Sequence, residues 1–283
     1  MNVKNYTVEE SFVWHGQTDS EFIECVENLD SMVSYLQSIN ECVYYSENLY
    51  NQEILQDTQI LDFYSPSENS SLHDEKELFL RSLSMMRVLE EDEEFDAQIG
   101  LRFYPLSNEG FSQTDQAHNL HLYLCCRKGI LIKIKSYDGF STFMKTCFPN
   151  IIFSEDIETG MRGITHFETV DVRKAIIHDL GVLNDEALEI YREYAPNTEK
   201  MCKVLGSKVL ACSMDTSDHN QFLSFSFSYL HDNQDIQIKS VLCSPHTKLL
   251  RRDSNLRIYF SWKDSIVGKG EKVLVGHIGG HPY

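Results

Sequence analysis

A chain of 283 residues with 43 Asp and Glu against 25 Lys and Arg, net −18, has room for two domains or one large one. That charge excludes broad nonspecific attraction to nucleic acid, which rests on neutralising phosphates, but it permits a local basic site or a basic partner. The 42% hydrophobic and 11% aromatic content excludes a disordered chain, and no apolar run reaches the roughly 18–20 residues that cross a bilayer.

The first residues, MNVKNYTVEESFVW, lack the basic start and apolar core of a secretory signal. The expected location is therefore cytoplasmic, with no membrane partner. Residues 18–39 predict an amphipathic helix: Phe22, Val26, Leu29, Val33 and Leu36 recur at three- and four-residue steps, with Thr18 or Asp19 as cap. Cys42–Tyr45 has strand character, and SPSENSSLHD (65–74) reads as a polar loop. A second helix is expected from Glu75 to Leu89, stopped where the acids Glu90–Glu94 oppose its dipole.

LHLYLCC, Arg127-Lys128-Gly129 and ILIKIK alternate apolar and polar residues on both arms and predict a β-hairpin. GFSTFMKTCF reads as a helix ending before Pro149. Residues 170–206 predict two or three short helices, with breaks at Gly181, Pro196 and Gly206. His118 and His121, three residues apart at a strand start, would not converge on a metal. Asp171, Asp179 and Asp185 are expected to cap or solvate the helices. The remainder is β-rich: KVLACSM, LSFSFSYL, IQIKSVL, LRIYFSW and KVLVGHI.

The predicted class is α+β, an acidic mixed α/β N-terminal part followed by a mainly antiparallel β C-terminal part. Three regions are expected: an acidic helical or mixed region at 1–95, an α+β region at 96–215 and a basic β-rich region at 216–283. Eight scattered cysteines without a CxxC pair suggest free thiols rather than zinc ligands or a disulfide framework.

Charge singles out the C-terminus. Residues 240–283 hold seven Lys and Arg against three acids, net +4, leaving eighteen bases and forty acids, net −22, in residues 1–239. If the last two strands form a hairpin across the Gly268/Gly270 loop, Arg257, Tyr259 and His277 emerge on one face. The closing Gly279-Gly280-His281-Pro282-Tyr283 could bring His281 and Tyr283 beside them, with Lys248, Arg251 and Arg252 as a rim on the preceding loop. Arg and Lys hold phosphate and offset transition-state charge. Histidine exchanges protons near neutrality, and tyrosine donates a hydrogen bond or stacks on a base. His281, His277, Arg257 and Tyr283 are the candidate catalytic set, and Lys248, Arg251, Arg252 and Tyr259 the substrate-binding set. No acidic metal triad is visible, so no metal or cofactor is expected. The same basic hairpin also suits a salt-bridging surface or a subunit interface, with Tyr259 and Trp262 as packing residues.

Two resemblances rest on these residues. His246-Thr-Lys248, Arg257-Ile-Tyr-Phe260 and Val275-Gly-His277-Ile-Gly-Gly-His281 resemble the HxK…RIxF…GxIGxH ending of a family of uncharacterised bacterial proteins. More loosely, Arg257-x-x-Phe260, a hydrophobic strand and the final His281-x-Tyr283 resemble the C-terminal end of RelE/YoeB-type messenger-RNA interferases. That second resemblance implies a phosphate-binding Arg257 and an acid–base pair of His281 and Tyr283. The expected function is a bacterial nucleic-acid-processing protein, such as a metal-independent ribonuclease toxin or phage-defence factor, with RNA as partner. The alternative is a non-enzymatic or immunity-type protein whose acidic face binds a basic protein. A hydrolase built on Cys243 or Ser244 with His246 lacks a nucleophile-elbow sequence.

Overall fold

The computed structural model describes residues 3–7, 18–51, 53–55, 58–60, 72–89, 99–103, 116–117, 119–231, 235–251 and 254–283. The acidic run Glu90–Glu94, most of the polar stretch 65–74, His118 and Arg252 lie outside these residues. The architecture is α+β, and the chain divides into two compact units, Met1–Gly129 and Ile130–Tyr283.

The first unit is built on β1 (Val3–Thr7), α1 (Asp19–Ser38), β2 (Val43–Ser46), a short hairpin of β3 (Glu53–Leu55) and β4 (Thr58–Gln59), α2 (His73–Ser84), β5 (Arg87–Leu89), β6 (Ile99–Phe103) and β7 (Gln116–Ala117). Five of these strands form a wholly parallel sheet in the order β5-β2-β1-β6-β7. The winding reverses at β1, as in doubly wound α/β sheets. Helix α1 starts where expected, because Thr18 and Glu21 close a capping box. Its buried stripe (Phe22, Val26, Leu29, Val33, Leu36) is the predicted one, extended by Cys25 and Met32. Helix α2 stops at Ser84 instead of running to Leu89. The β-branched Val88 and its neighbours pair with β2 as β5, so sheet pairing overrides the helical pattern.

The expected hairpin is a helix, α3 (Leu120–Lys133), which spans the division between the units. Leu120, Leu122, Leu124, Ile130, Ile132 and Ile134 fit alternation, but so short a pattern does not exclude a helix. The residues that become buried, Tyr123, Cys126, Arg127, Ile130 and Leu131, follow the steps of three and one that mark a helix face. Within the first unit Arg127 grips both oxygens of Glu41, at 2.8 Å each, and donates to the Tyr123 hydroxyl. Tyr123 donates to Asn5 Oδ1 at 2.7 Å, and Asn5 Nδ2 returns to Glu41 at 3.0 Å. This closed polar ring fastens β1 and the start of β2 to α3.

The second unit contains α4 (Tyr137–Met144), β8 (Ile151–Phe153), α5 (Ile157–Arg162), α6 (Val170–Tyr194), α7 (Thr198–Gly206) and β9 (Cys212–Met214), then β10 (Ser224–Leu230), β11 (Ile236–Leu242), β12 (Pro245–Lys248), β13 (Arg257–Ser261) and β14 (Val273–Gly279). One sheet has the order β8-β14-β13-β12-β9, antiparallel except for β8 against β14, and β10–β11 form a separate antiparallel hairpin. Gly181 does not break α6, because the buried row Val172, Ile176, Leu180, Leu183 and Ala187 runs through it. Strand β9 is shorter than the predicted KVLACSM. His246 and Lys248 belong to strand β12 rather than to a loop. Asp179 is buried, not solvated, on the α6 side of the sheet, where the Thr247 hydroxyl lies against it.

Candidate functional site

Cross-strand register places four polar side chains in one row. Ser213 opposes His246, His246 opposes Tyr259, and Tyr259 opposes His277. Directly opposed residues project from the same face of a sheet, so β9, β12, β13 and β14 each contribute one member. Lys248 opposite Arg257 forms the adjacent row.

The end of the row at His277 depends on a bulge. The single step from Tyr259 to Phe260 on β13 is matched by two residues, His277 to Val275, on β14, which leaves Gly276 as the extra residue. It turns both Leu274 and His277 toward Tyr259: Leu274 shares a core cluster with Tyr259, and the His277 ring meets Tyr259 edge-on at 6.1 Å. A Cβ on Gly276 would fall 2.3 Å from the Phe225 ring, so the site requires glycine. Arg257, Tyr259 and His277 therefore share one face as expected but do not emerge there, because Arg257 and Tyr259 are buried and Phe225 stacks on His277; Leu274 and Ile278 lie on opposite faces because of the bulge.

The inner face of the β10–β11 hairpin covers part of the row. Phe227 and Val241 pack with Tyr259, Leu274 and Cys243, and Phe225 stacks on His277 at 5.9 Å. His277 Nε2 lies 2.8 Å from the Gly280 carbonyl, and a Cβ on Gly160 would strike its ring. This imidazole braces the C-terminal turn. Burial lowers its pKa.

Asp215, just beyond β9, gathers the remaining groups. Its Oδ1 accepts from the Thr216 amide and from His219 Nδ1, both at 2.8 Å. Its Oδ2 accepts from the hydroxyls of Tyr259 at 3.1 Å and Tyr283 at 3.2 Å. Burial alone would raise the Asp215 pKa, but these hydrogen bonds outweigh it and hold the carboxyl at about 2. Asp215 is thus ionised at neutral pH, and the order of protons follows. Tyr259 must donate to the carboxylate, so its oxygen accepts from His281 Nδ1, 2.8 Å away. His281 then carries its proton on Nδ1 and presents an unprotonated Nε2 from an exposed residue. Burial and the nearby Arg257 depress the His281 pKa, with Asp215 opposing, and burial raises that of Tyr259.

The predicted residues are distributed unevenly around this centre. Tyr259, His281 and Tyr283 converge on Asp215, and Tyr283 stacks on His219 at 3.9 Å. Lys248 and Arg257 both act electrostatically on His281. Arg257 is buried; its Nη1 donates to the Ser254 carbonyl at 2.9 Å, while Nε has no acceptor among the described residues. Arg251 is exposed in the turn beyond β12.

Sequence reading missed Asp215, His219 and Ser213. The signal was Asp215-x-x-x-His219, an i, i+4 pair spanning one tight turn (Ser217–Phe222), obscured by the acidity of the whole chain. Ser213 Oγ is 3.1 Å from His246 Nε2, and His246 Nδ1 is buried without a partner among the described residues. Burial, reinforced by Arg257, lowers the His246 pKa to about 4 and keeps the ring neutral. Among the described residues no three His, Cys, Asp or Glu side chains are arranged to share a metal ion. Comparison of the chain with family models, with curated proteins and with solved structures finds no match.

Proposed function

We propose that the C-terminal sheet carries a metal-independent ribonuclease centre, with His281 as general base and His219 as general acid. The observation that supports it is the pair of imidazoles hydrogen-bonded into one ionised carboxylate, His219 directly and His281 through Tyr259. Transesterification of RNA needs such a pair: one nitrogen removes the 2′-hydroxyl proton and another protonates the departing 5′-oxygen. His281 enters neutral with Nε2 unprotonated and takes the first proton. His219, hydrogen-bonded to Asp215 through Nδ1, delivers the second, leaving a 2′,3′-cyclic phosphate and a free 5′-hydroxyl.

Lys248 and Arg257 supply positive charge beside His281 for the phosphoryl oxygens. Tyr283, exposed and stacked on His219, offers a π face to a nucleobase. Tyr259 is a positioning residue that fixes the His281 tautomer. The resemblance of Arg257, His281 and Tyr283 to the C-terminal end of messenger-RNA interferases points in the same direction.

The test is incubation of the full chain with a labelled single-stranded RNA in EDTA, with products resolved by mass. We expect a cyclic-phosphate product that is lost in His281→Ala and His219→Ala, with both variants unfolding at temperatures close to the parent. Intact RNA with the parent chain, or undiminished cleavage by both variants, removes this reading.

A further inference from the structure

Among the described residues no element covers the outer face of the β10–β11 hairpin. Register places Ser224, Ser226, Ser228 and Leu230 of β10 beside Leu242, Ser240, Ile238 and Ile236 of β11 on that face. Ile236 is 73% exposed, Ile238 67% and Leu230 66%, with Leu242 at 43%. Eight consecutive outward positions hold no charged side chain, in a chain of net charge −18. Leu230, Ile236 and Ile238 adjoin, with Leu242 beyond Ser240, and an exposed aliphatic cluster of this kind marks an interaction surface.

We infer that this face is the interface of a homodimer related by a two-fold axis parallel to the hairpin strands. The face is divided lengthwise into a ridge and a trough. Strand β11 carries the branched side chains at Ile236, Ile238 and Leu242, and β10 carries serine opposite two of them. Laying a second copy face to face about such an axis sets β11 of each copy over β10 of the other, at unchanged register. Ile238 then enters the gap above Ser228, Leu242 the gap above Ser224, and Ile236 meets Leu230 at the hairpin end. This is the self-complementarity that an isologous contact requires.

Two other features select the face and the occupant. The free edge of β10 is already used, because the Ser226 carbonyl accepts from the Glu155 amide at 2.9 Å and the Ser228 amide donates to the Glu155 side chain at 3.2 Å. Association through that edge is blocked. A membrane surface is disfavoured because the strip offers no Lys or Arg to anionic headgroups and the chain is strongly acidic. The strip is about 24 Å long and two strands wide, small beside a standard specific interface, so the dimer is weak. Added salt screens the repulsion between two acidic copies and tightens it.

Sedimentation equilibrium of the full chain from about 1 to 300 μM tests this. The expected result is a mass rising from 32.8 kDa toward twice that value, more steeply at higher salt. Ile238→Asp should raise Kd more than tenfold. Ser228→Phe should do the same despite adding apolar surface, because it fills the trough; both variants must keep the parent circular dichroism. The inference is overturned by a monomer across the whole range, by dimers that survive Ile238→Asp, or by tighter association of Ser228→Phe, which would mean general adhesiveness. A chain that stays monomeric but co-sediments with vesicles of mixed neutral and anionic lipid would also overturn it.

Discussion

The hydroxyl of Tyr259 stands between the Asp215 carboxylate, 3.1 Å away, and His281 Nδ1, 2.8 Å away, and it can satisfy both only by donating to the first and accepting from the second. Tyr259→Phe deletes this connection while retaining the ring that packs with Leu274 and Phe227. Freed from the tyrosine, His281 would sample both tautomers. We expect RNA cleavage to fall 10- to 100-fold in kcat, with KM little changed, because proton transfer is lost and binding is not. A fall in KM-dependent binding alone would assign Tyr259 to the substrate surface.

The proton inventory sets the pH profile. His281 has a pKa below the ordinary histidine value, through burial and Arg257, so the base is titrated only under acidic conditions. The rate of RNA cleavage should rise with pH through a midpoint below 6.5. A rate–pH profile on an oligonucleotide measures this limb, and a rise with a midpoint above 7 would contradict the assignment of His281 as base.

Stability should follow a separate course. His246 is buried neutral with a pKa near 4, whereas an unfolded histidine titrates near 6.5. Below 6.5 the unfolded chain takes up a proton that the folded chain refuses, so stability is complete above 6.5 and declines until about pH 4. The loss is on the order of 3 kcal/mol at most. Asp215, depressed to about 2, adds a second decline as pH falls from about 4 to 2. Urea unfolding at intervals of half a pH unit should show both steps, and His246→Gln should shrink the first without removing it, because His277 and His281 are depressed in the same direction, and should leave the second unchanged.

The helical stripe of α1 and the final strands were legible in the sequence because their side chains face one neighbour each. Helix α3 was not, because its apolar residues fit steps of two as well as steps of three and one, and the contacts of Tyr123 and Arg127 with β1 and Glu41 favour the second. The shared face of Arg257, Tyr259 and His277 followed from strand alternation, and the Gly-Gly step after β14 is what lets His281 and Tyr283 join Tyr259. Asp215, the acceptor for both tyrosines, was hidden because one carboxylate among 43 acidic residues has no local mark. The Gly276 bulge was invisible too, since register is decided by the pairing partner.

That bulge is directly testable. Gly276→Ala would place a methyl group 2.3 Å from Phe225 and 2.9 Å from Cys243 Sγ, with Ser154 already bonded to the Gly276 carbonyl. The sheet and the hairpin cannot both hold position. We expect a loss of roughly 1–3 kcal/mol from overpacking, read as a lower denaturant midpoint, with weakened protection of the His277 amide. An unchanged midpoint would show that the hairpin yields freely.

In the first unit, Arg127 is fully buried and both its terminal nitrogens grip the Glu41 carboxylate. Glu41→Leu would remove that bidentate pair from a buried guanidinium, at a cost of about 3–5 kcal/mol. Arg127→Leu would leave Glu41 partly wetted and should cost less, because the Glu41 side chain keeps 18% of its surface. The double variant, which removes both charges, should be more stable than Glu41→Leu. A double-mutant cycle by urea unfolding measures this coupling. Additive losses would mean that Asn5 and Tyr123 hold the guanidinium without the carboxylate.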